Sequence, residues 1–385
     1  MKILMLTAFF YPSLAGVETY VLSLSKNLAL QGHKIDVLTI NTENAPDNEE
    51  IFPNVNVKRC KISFNYTKGF VSKNFFKFLL ESKDYDIYHA HIPFSFGLES
   101  AILASKINGI PLIVTHHGEA PSLTNCANVQ STISKIYSTF TRIFCLNFVD
   151  KIVFLTKSYC KSLWISPPAR KKIKIVRTGS EIEKFLFLQN NAKLKKDLKI
   201  PFKDKIILFV GSLSRYNRYK GVDFLIKSMQ LVNENDPHVK LLIIGDGELK
   251  IELNDLAEKC GVKEQVLFLG AIPNEEIPPY YSICDLLILP SIYGPENGPM
   301  VIFEAMASSK PVISTKLPGL IDIVENSFGI LVPPKDINAI ADSILTLTND
   351  DKLRIKMGKN ARKAAEKYSW QKCAKKMEKL YFELQ

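Results

Sequence analysis

The 385-residue sequence has no apolar run approaching the roughly 18 residues needed to span a bilayer. It has no CxxC pair, and its seven cysteines lie scattered from Cys60 to Cys373. An odd, dispersed set points to neither a disulfide framework nor a zinc site, and a reducing, cytoplasmic compartment fits best. No GxGxxG follows the first apolar stretch, which disfavours a dinucleotide-dependent oxidoreductase. No GxxxxGK[ST] occurs either, which excludes a P-loop enzyme. The first residues, Met1–Thr7, run directly into Ala8-Phe9-Phe10-Tyr11-Pro12 without a small-residue cleavage site. They read as a buried strand rather than a secretory leader.

What is present is an ordinary globular composition, 46% apolar and 23% charged, long enough for two domains. The net charge of +11 is uneven. Residues 1–185 carry 22 basic and 14 acidic groups, the remainder 28 against 25. A basic first half implies an anionic partner: nucleic acid, a phospholipid surface or a phosphorylated substrate. No aromatic-basic groove motif for nucleic acid accompanies it, so a non-enzymatic nucleic-acid or membrane binder is the weakest reading.

Short apolar runs alternate with helical patterns. Lys2–Thr7, Ile35–Ile40, Ile87–His91, Leu112–Thr115 and Lys151–Leu155 are expected strands in the first half. Ile206–Val210, Leu241–Ile244, Val266–Leu269, Leu286–Leu289 and Pro311–Ser314 are expected strands in the second. The spacing predicts helices over Glu18–Leu30, Gly221–Val232, Glu248–Lys259, Asn274–Ser282 and Met300–Ser308. Alternation of this kind predicts α/β architecture, with parallel sheets covered on both faces. Two such sets predict two doubly wound domains that join in the polar, Lys-rich stretch Gln189–Asp204. Their cleft is the expected binding site. Gly69–Asp84 interleaves phenylalanine with lysine. It reads as a core-packing helix with a solvated lysine face, or else as a membrane-surface helix.

The strand Leu286–Leu289 leads into Tyr293-Gly294-Pro295-Glu296-Asn297-Gly298-Pro299-Met300-Val301-Ile302-Phe303-Glu304-Ala305-Met306-Ala307. Pro299 suits the first turn of a helix. Glu304 then falls among apolar neighbours, where a carboxylate is costly unless it faces a partner or a ligand. Glu296 precedes the helix, where backbone N–H groups favour anions.

Glu296 and Glu304 form an E-x7-E pair, followed by Lys310-Pro311-Val312 and Gly319. Gly211, Lys220-Gly221-Val222, Gly245-Asp246-Gly247 and Phe268-Leu269-Gly270 precede it in order. Together they resemble the retaining nucleotide-sugar glycosyltransferases of family 4. The resemblance covers nearly the whole chain. It implies a GT-B fold, two Rossmann-like doubly wound domains facing each other across a cleft. Residues 1–188 would bind the acceptor and 189–367 the nucleotide sugar, with a last helix (368–385) packing back on the first domain.

The resemblance also implies roles. Lys220 would neutralise the donor diphosphate. The family's arginine after the glycine is Ser212 here, and Arg215 or Arg218 would replace it. Glu304 would accept hydrogen bonds from the ribose and Glu296 would contact the transferred sugar. Backbone at Asn297, Gly298 and Met300 would hold sugar hydroxyls or phosphate, although Pro299 lacks the N–H of a glycine-bearing relative. In Ser13-Leu14-Ala15-Gly16-Val17-Glu18, Gly16 opens a helix towards the diphosphate. In Thr115-His116-His117-Gly118-Glu119, His117 would lie near the reacting sugar, with His116 as the fallback. His89 and His91 read as structural. Asp84-Tyr85-Asp86 spells a DxD, but its place before a strand makes chance the better reading.

The implied activity is metal-independent retaining transfer of a hexose-type sugar, from a UDP- rather than a GDP-linked donor. The acceptor is a glycan or lipid-linked precursor, with an anionic membrane surface as a further partner and no nucleic acid. No cofactor is implied, because the nucleotide sugar is a substrate. The expected place of action is the cytoplasm or the inner face of the cell membrane. A nucleotide-sugar epimerase or a phosphorylase on the same fold is the alternative.

Overall fold

Apolar runs become strands and helical patterns become helices through a structure, a computed structural model, that describes residues 1–12, 15–42, 44–66, 69–118, 129–185, 192–294 and 296–385. Ser13, Leu14, Glu119, Gln189 and Pro295 of the motifs above lie outside the described residues. In chain order come β1 (Lys2–Leu6), α1 (Gly16–Leu30), β2 (Lys34–Ile40), β3 (Asn48–Phe52) and β4 (Val55–Cys60). Next are β5 (Phe64–Tyr66), β6 (Gly69–Val71), α2 (Lys73–Glu81), β7 (Ile87–Ile92), α3 (Gly97–Asn108) and β8 (Leu112–His116). They are followed by α4 (Val129–Ile143), β9 (Lys151–Phe154), α5 (Lys157–Ser162), α6 (Pro167–Arg170), β10 (Ile173–Ile175) and α7 (Ala192–Asp197). Then come β11 (Lys205–Val210), α8 (Val222–Asn235), β12 (Val239–Ile244), α9 (Lys250–Lys259), β13 (Val266–Gly270), α10 (Pro278–Ile283) and β14 (Leu286–Leu289). The chain ends with α11 (Met300–Ala307), β15 (Val312–Thr315), β16 (Gly329–Val332), α12 (Ile337–Asn349), α13 (Asp351–Ala365) and α14 (Trp370–Phe382).

The chain divides into two compact units, Met1–Thr178 with Trp370–Gln385, and Gly179–Ser369. The break falls ahead of the expected boundary at 188. The segment after it already packs in the second unit: Phe185 is buried there with its ring 5.4 Å from Tyr281. Ser180 N–H donates to the Tyr368 carbonyl at 2.7 Å.

In the first unit the sheet order is β10-β9-β8-β7-β1-β2-β4-β3, parallel except for the edge pair β3–β4. All six residues of β7 are buried, as strands covered on both faces require. The acidic residues of β3 lie on the edge, where charge discourages further pairing. Helix α14 returns to this unit. Its Trp370 ring lies 5.1 Å from Tyr20 of α1, and Glu378 meets His33 at 2.8 Å.

In the second unit the order is β13-β12-β11-β14-β15-β16, wholly parallel. A Cβ on Gly245 would collide with the Gly211 carbonyl, so the loops that follow β11 and β12 touch backbone to backbone.

Only Lys73–Glu81 of the Phe/Lys segment is helical, and it turns Phe75 and Leu79 inward. Phe75 packs edge-on against Phe94 at 5.2 Å. The Asp84-Tyr85-Asp86 carboxylates sit at the start of β1 and β7. Asp86 accepts from the Lys2 N–H at 2.7 Å, and Asp84 pairs with the Lys2 ammonium. That is the end of the sheet away from the C-terminal strand ends.

Candidate functional site

In open α/β sheets, ligands bind beyond the carboxyl ends of strands where the strand order reverses. In the second unit that point lies between β11 and β14, which are neighbours although β12 and β13 intervene in sequence. The loops that leave these two strands carry Lys220 and Glu296. A Cβ on Gly221, at φ +69°, would run into the Pro290 carbonyl oxygen, so only glycine lets the loops approach this closely.

Lys220 Nζ stands 3.3 Å from Glu296 Oε1, and the Ser291 hydroxyl donates to the same oxygen at 2.6 Å. Both charged side chains are largely buried, 15% and 5% exposed. Burial pulls the Lys220 pKa down. The adjacent Glu296 carboxylate outweighs it and holds the Lys220 pKa above its ordinary value. The ammonium also lies 5.2 Å from the Tyr219 ring centroid. Asn297 and Gly298 are buried beside Glu296, and Gly298 turns the chain at φ +80° before α11.

Glu304 is half-buried on α11 and accepts a hydrogen bond from the Tyr281 hydroxyl at 2.8 Å. Burial pushes its carboxyl up to about 7, against the opposing pull of the Tyr281 hydrogen bond. Carboxyls shifted this far by burial cluster at functional sites. Of the two candidate arginines, Arg218 grips Glu252 on α9 with two nitrogens, one at 2.8 Å, and is 43% exposed. The Arg215 guanidinium is exposed and has no hydrogen-bond or ion-pair partner among the described residues. Arg215 is therefore the one open to a new anion.

In the first unit the strand order reverses between β1 and β7. Gly16 begins α1 after the β1 loop. A Cβ there would meet nothing within 4 Å, so packing within the unit does not demand the glycine. Ala15 N–H donates to buried Glu18 at 3.0 Å, closing the first turn. Buried Arg59 holds the same loop, donating to the Tyr11 carbonyl at 2.8 Å and to Glu49 at 2.9 Å.

His117 follows β8. The register sets His91 beside Thr115, so His89, His91, Thr115 and His117 share one sheet face. His117 Nε2 lies 3.0 Å from His91 Nδ1, and its ring meets Tyr20 edge-on at 4.6 Å. Burial depresses His117 to about 3, so the ring is neutral at physiological pH. His116 points to the other face. It stacks on Phe154 at 4.8 Å and its Nδ1 accepts from the Gly118 N–H.

Ser291, Tyr281 and Arg59 are not among the site residues expected from the sequence, where His91 reads as structural. A buried arginine inside a strand was a readable signal. The hydroxyl partners were not. Among the described residues no three His, Cys, Asp or Glu side chains converge as a metal site.

Two parallel-sheet α/β units, each with its motif residues beyond the strand ends, define a GT-B glycosyltransferase. The description Glycosyl transferases group 1 matches residues 190–364 and Glycosyltransferase Family 4 matches 14–184. The chain belongs to this glycosyltransferase group. It is 28% identical to an uncharacterised glycosyltransferase of Methanocaldococcus jannaschii, over 99% of this chain and 98% of that one. It is 28% identical to the D-inositol 3-phosphate glycosyltransferase of Corynebacterium glutamicum, over 95% and 91%. It is 29% identical to the UDP-Gal:alpha-D-GlcNAc-diphosphoundecaprenol alpha-1,3-galactosyltransferase of Escherichia coli, over 80% and 77%. Among solved structures, sucrose-phosphate synthase from Thermosynechococcus elongatus matches with a TM-score of 0.78 at 23% identity, covering 100% of this chain and 98% of that one. Anabaena HepE in complex with UDP and glucose matches at 0.79 and 20%, covering 100% of both.

Proposed function

We propose that this glycosyltransferase moves a hexose from a UDP-linked donor to a lipid-linked or envelope glycan precursor, with retention of anomeric configuration. The observation that carries this reading is the Lys220–Glu296 pair beyond the β11–β14 strand ends, with Glu304 on the helix that follows Glu296. A departing diphosphate develops negative charge that needs fixed cations. Lys220 supplies one and Arg215 the other, so no metal or resident cofactor is invoked. Arrival of the diphosphate draws Lys220 away from Glu296 and frees that carboxylate for the sugar hydroxyls. Glu304 takes the ribose hydroxyls, and backbone N–H groups at Gly298 and Met300 hold the sugar or phosphate. The leaving diphosphate then assists deprotonation of the acceptor on the same face.

UDP is preferred because the Escherichia coli relative is named for a UDP-sugar. The lipid-linked acceptor follows that relative and the surface of the first unit. Fourteen of the eighteen exposed large apolar side chains among the described residues lie in this unit. They are not centred on α2, whose phenylalanine face is turned inward. Ile136, Phe140 and Phe144 line successive turns of α4 and its end, with Leu103 and Ile107 on α3. An apolar face on a basic half-chain suits an anionic membrane surface on the cytoplasmic side.

A thermal-shift panel of UDP, GDP, ADP and dTDP with their sugars tests the donor, with Glu304→Ala alongside. UDP is expected to raise the melting temperature, and Glu304→Ala to weaken the rise. No rise with any nucleotide would sink the reading. Donor turnover without a glycoside product would instead indicate an epimerase or a phosphorylase, and an inverted product anomer would refute retention.

A further inference from the structure

Two buried histidines stand next to His117, and the fold ties them down differently. His89 has both ring nitrogens engaged, by the Tyr381 hydroxyl of α14 at 2.7 Å and by the Thr115 hydroxyl at 2.7 Å. The His91 ring lies beside it, tilted by 34° with centroids 4.3 Å apart, and among the described residues it hydrogen-bonds only through Nδ1, which faces His117 Nε2 at 3.0 Å. His91 Nε2 is buried with no hydrogen-bond partner among the described residues.

That asymmetry fixes the proton between the two rings. Burial holds both histidines neutral, so each carries one ring proton. If His91 carried its proton on Nε2, an N–H would be buried with no acceptor. If it carries the proton on Nδ1, a bare nitrogen faces the interior and Nδ1–H donates to His117. Buried N–H groups without acceptors are rarer in folded proteins than acceptors without donors. His117 is then the acceptor at Nε2, and its own proton resides on Nδ1. His117 makes no other ring hydrogen bond among the described residues, and the residue is half-buried.

We propose that His91 is a positioning residue: by donating from Nδ1 to His117 Nε2, it leaves neutral His117 presenting a single Nδ1–H donor to a substrate hydroxyl. The hydroxyl belongs to the sugar transfer proposed above, and the inference rests on that reading for its substrate. His117 in this state binds and orients and does not act as a general acid or base. His91 is thus more than a core histidine: it sets the hydrogen-bond polarity of a site group it does not share with substrate.

Asn and Asp at position 91 have nearly one shape but opposite hydrogen-bonding capacity, since the amide can donate and the carboxylate only accepts. The full-length protein labelled with 15N-histidine reports the ring protonation of each histidine, and a His117→Gln spectrum assigns the His117 signals. The wild type is expected to show His117 protonated on Nδ1 alone. His91→Asn is expected to keep that form and to lower sugar transfer by only a few-fold. His91→Asp is expected to move the proton to Nε2 and to lower kcat/KM on the order of 100-fold. The nucleotide-induced thermal shift should survive in both variants, because the proposed nucleotide site lies in the other unit. A wild-type proton on Nε2, an unmoved proton in His91→Asp, or equal transfer by the two variants would overturn the proposal. If His91→Asp does not fold, the wild-type and His91→Asn spectra still decide it. A wild type that transfers no sugar would sink the functional reading, while the protonation measurement would still decide the role of His91.

Discussion

Lys220 and Glu296 lie 76 residues apart in sequence and 3.3 Å apart in space. They meet because β11 and β14 are neighbours and the loops that leave them converge. In the absence of ligand the two charges neutralise one another inside a nearly dry site. The site therefore stores a cation that a ligand must win from a carboxylate.

Breaking that pair from one side leaves an uncompensated buried charge, which costs about 3–5 kcal/mol. Lys220→Ala is expected to destabilise the fold by that amount in denaturant titrations and to abolish the UDP-induced thermal shift. The double variant Lys220→Met/Glu296→Gln, which removes both charges, is expected to recover most of the stability and none of the transfer. Equal stability of the single and double variants would show that the pair does not matter to the fold.

Glu304 predicts a pH dependence with a definite sign. Its carboxyl has an ordinary value of 4.5 and is raised to about 7 in the fold. Between those values the folded chain holds a proton that the unfolded chain has released. Its contribution to stability is therefore lost as pH rises from about 4.5 through about 7. Ribose recognition needs the ionised form, so UDP affinity is expected to tighten from pH 6 to pH 8, by at most tenfold per unit. Titration calorimetry at both pH values checks this. Glu304→Gln is expected to bind UDP more weakly and without that slope.

Arg215 and Arg218 are three residues apart, and their different surroundings separate them. Arg218→Ala is expected to cost about 0.2–1 kcal/mol through its exposed pair with Glu252, with transfer nearly unchanged. Arg215→Ala is expected to leave stability intact and to lower kcat by tenfold or more, about 1.4 kcal/mol of barrier. Steady-state kinetics with a fixed acceptor would expose the reverse order.

Vesicle flotation separates two faces of the first unit. A Phe140→Ser/Phe144→Ser variant is expected to lose binding to anionic vesicles, whereas Lys73→Ser, on α2, should retain most of it. Equal binding by the wild type and the Phe140/Phe144 variant would remove the proposed membrane face.

The second unit was legible because its strands are uninterrupted apolar runs: Leu286–Leu289 was expected and is observed with the same bounds. Edge strands were not. Asn48–Phe52 is polar and pairs only on one side, so it shows neither an apolar run nor alternation. The motif residues were legible as a constellation, since their order survives in the chain. Their partners were not, because Tyr281 reaches Glu304 and Ser291 reaches Glu296 only after the sheet has assembled. The fate of Arg218 depended on Glu252, 34 residues away on another helix, and nothing local announced it.

Helix α14 completes the first unit from beyond the second in sequence: Trp370 and Tyr381 fill the ground beside Tyr20 and His89. During synthesis the first unit emerges early, yet that face has no cover until α14 has been made. Domains ordinarily fold in order as they leave the ribosome. Here the whole second unit is made while the first still lacks its closing helix, so the histidine side of the first sheet matures last. A nascent chain stalled before Trp370 should therefore hold a protease-sensitive first unit beside a resistant second one.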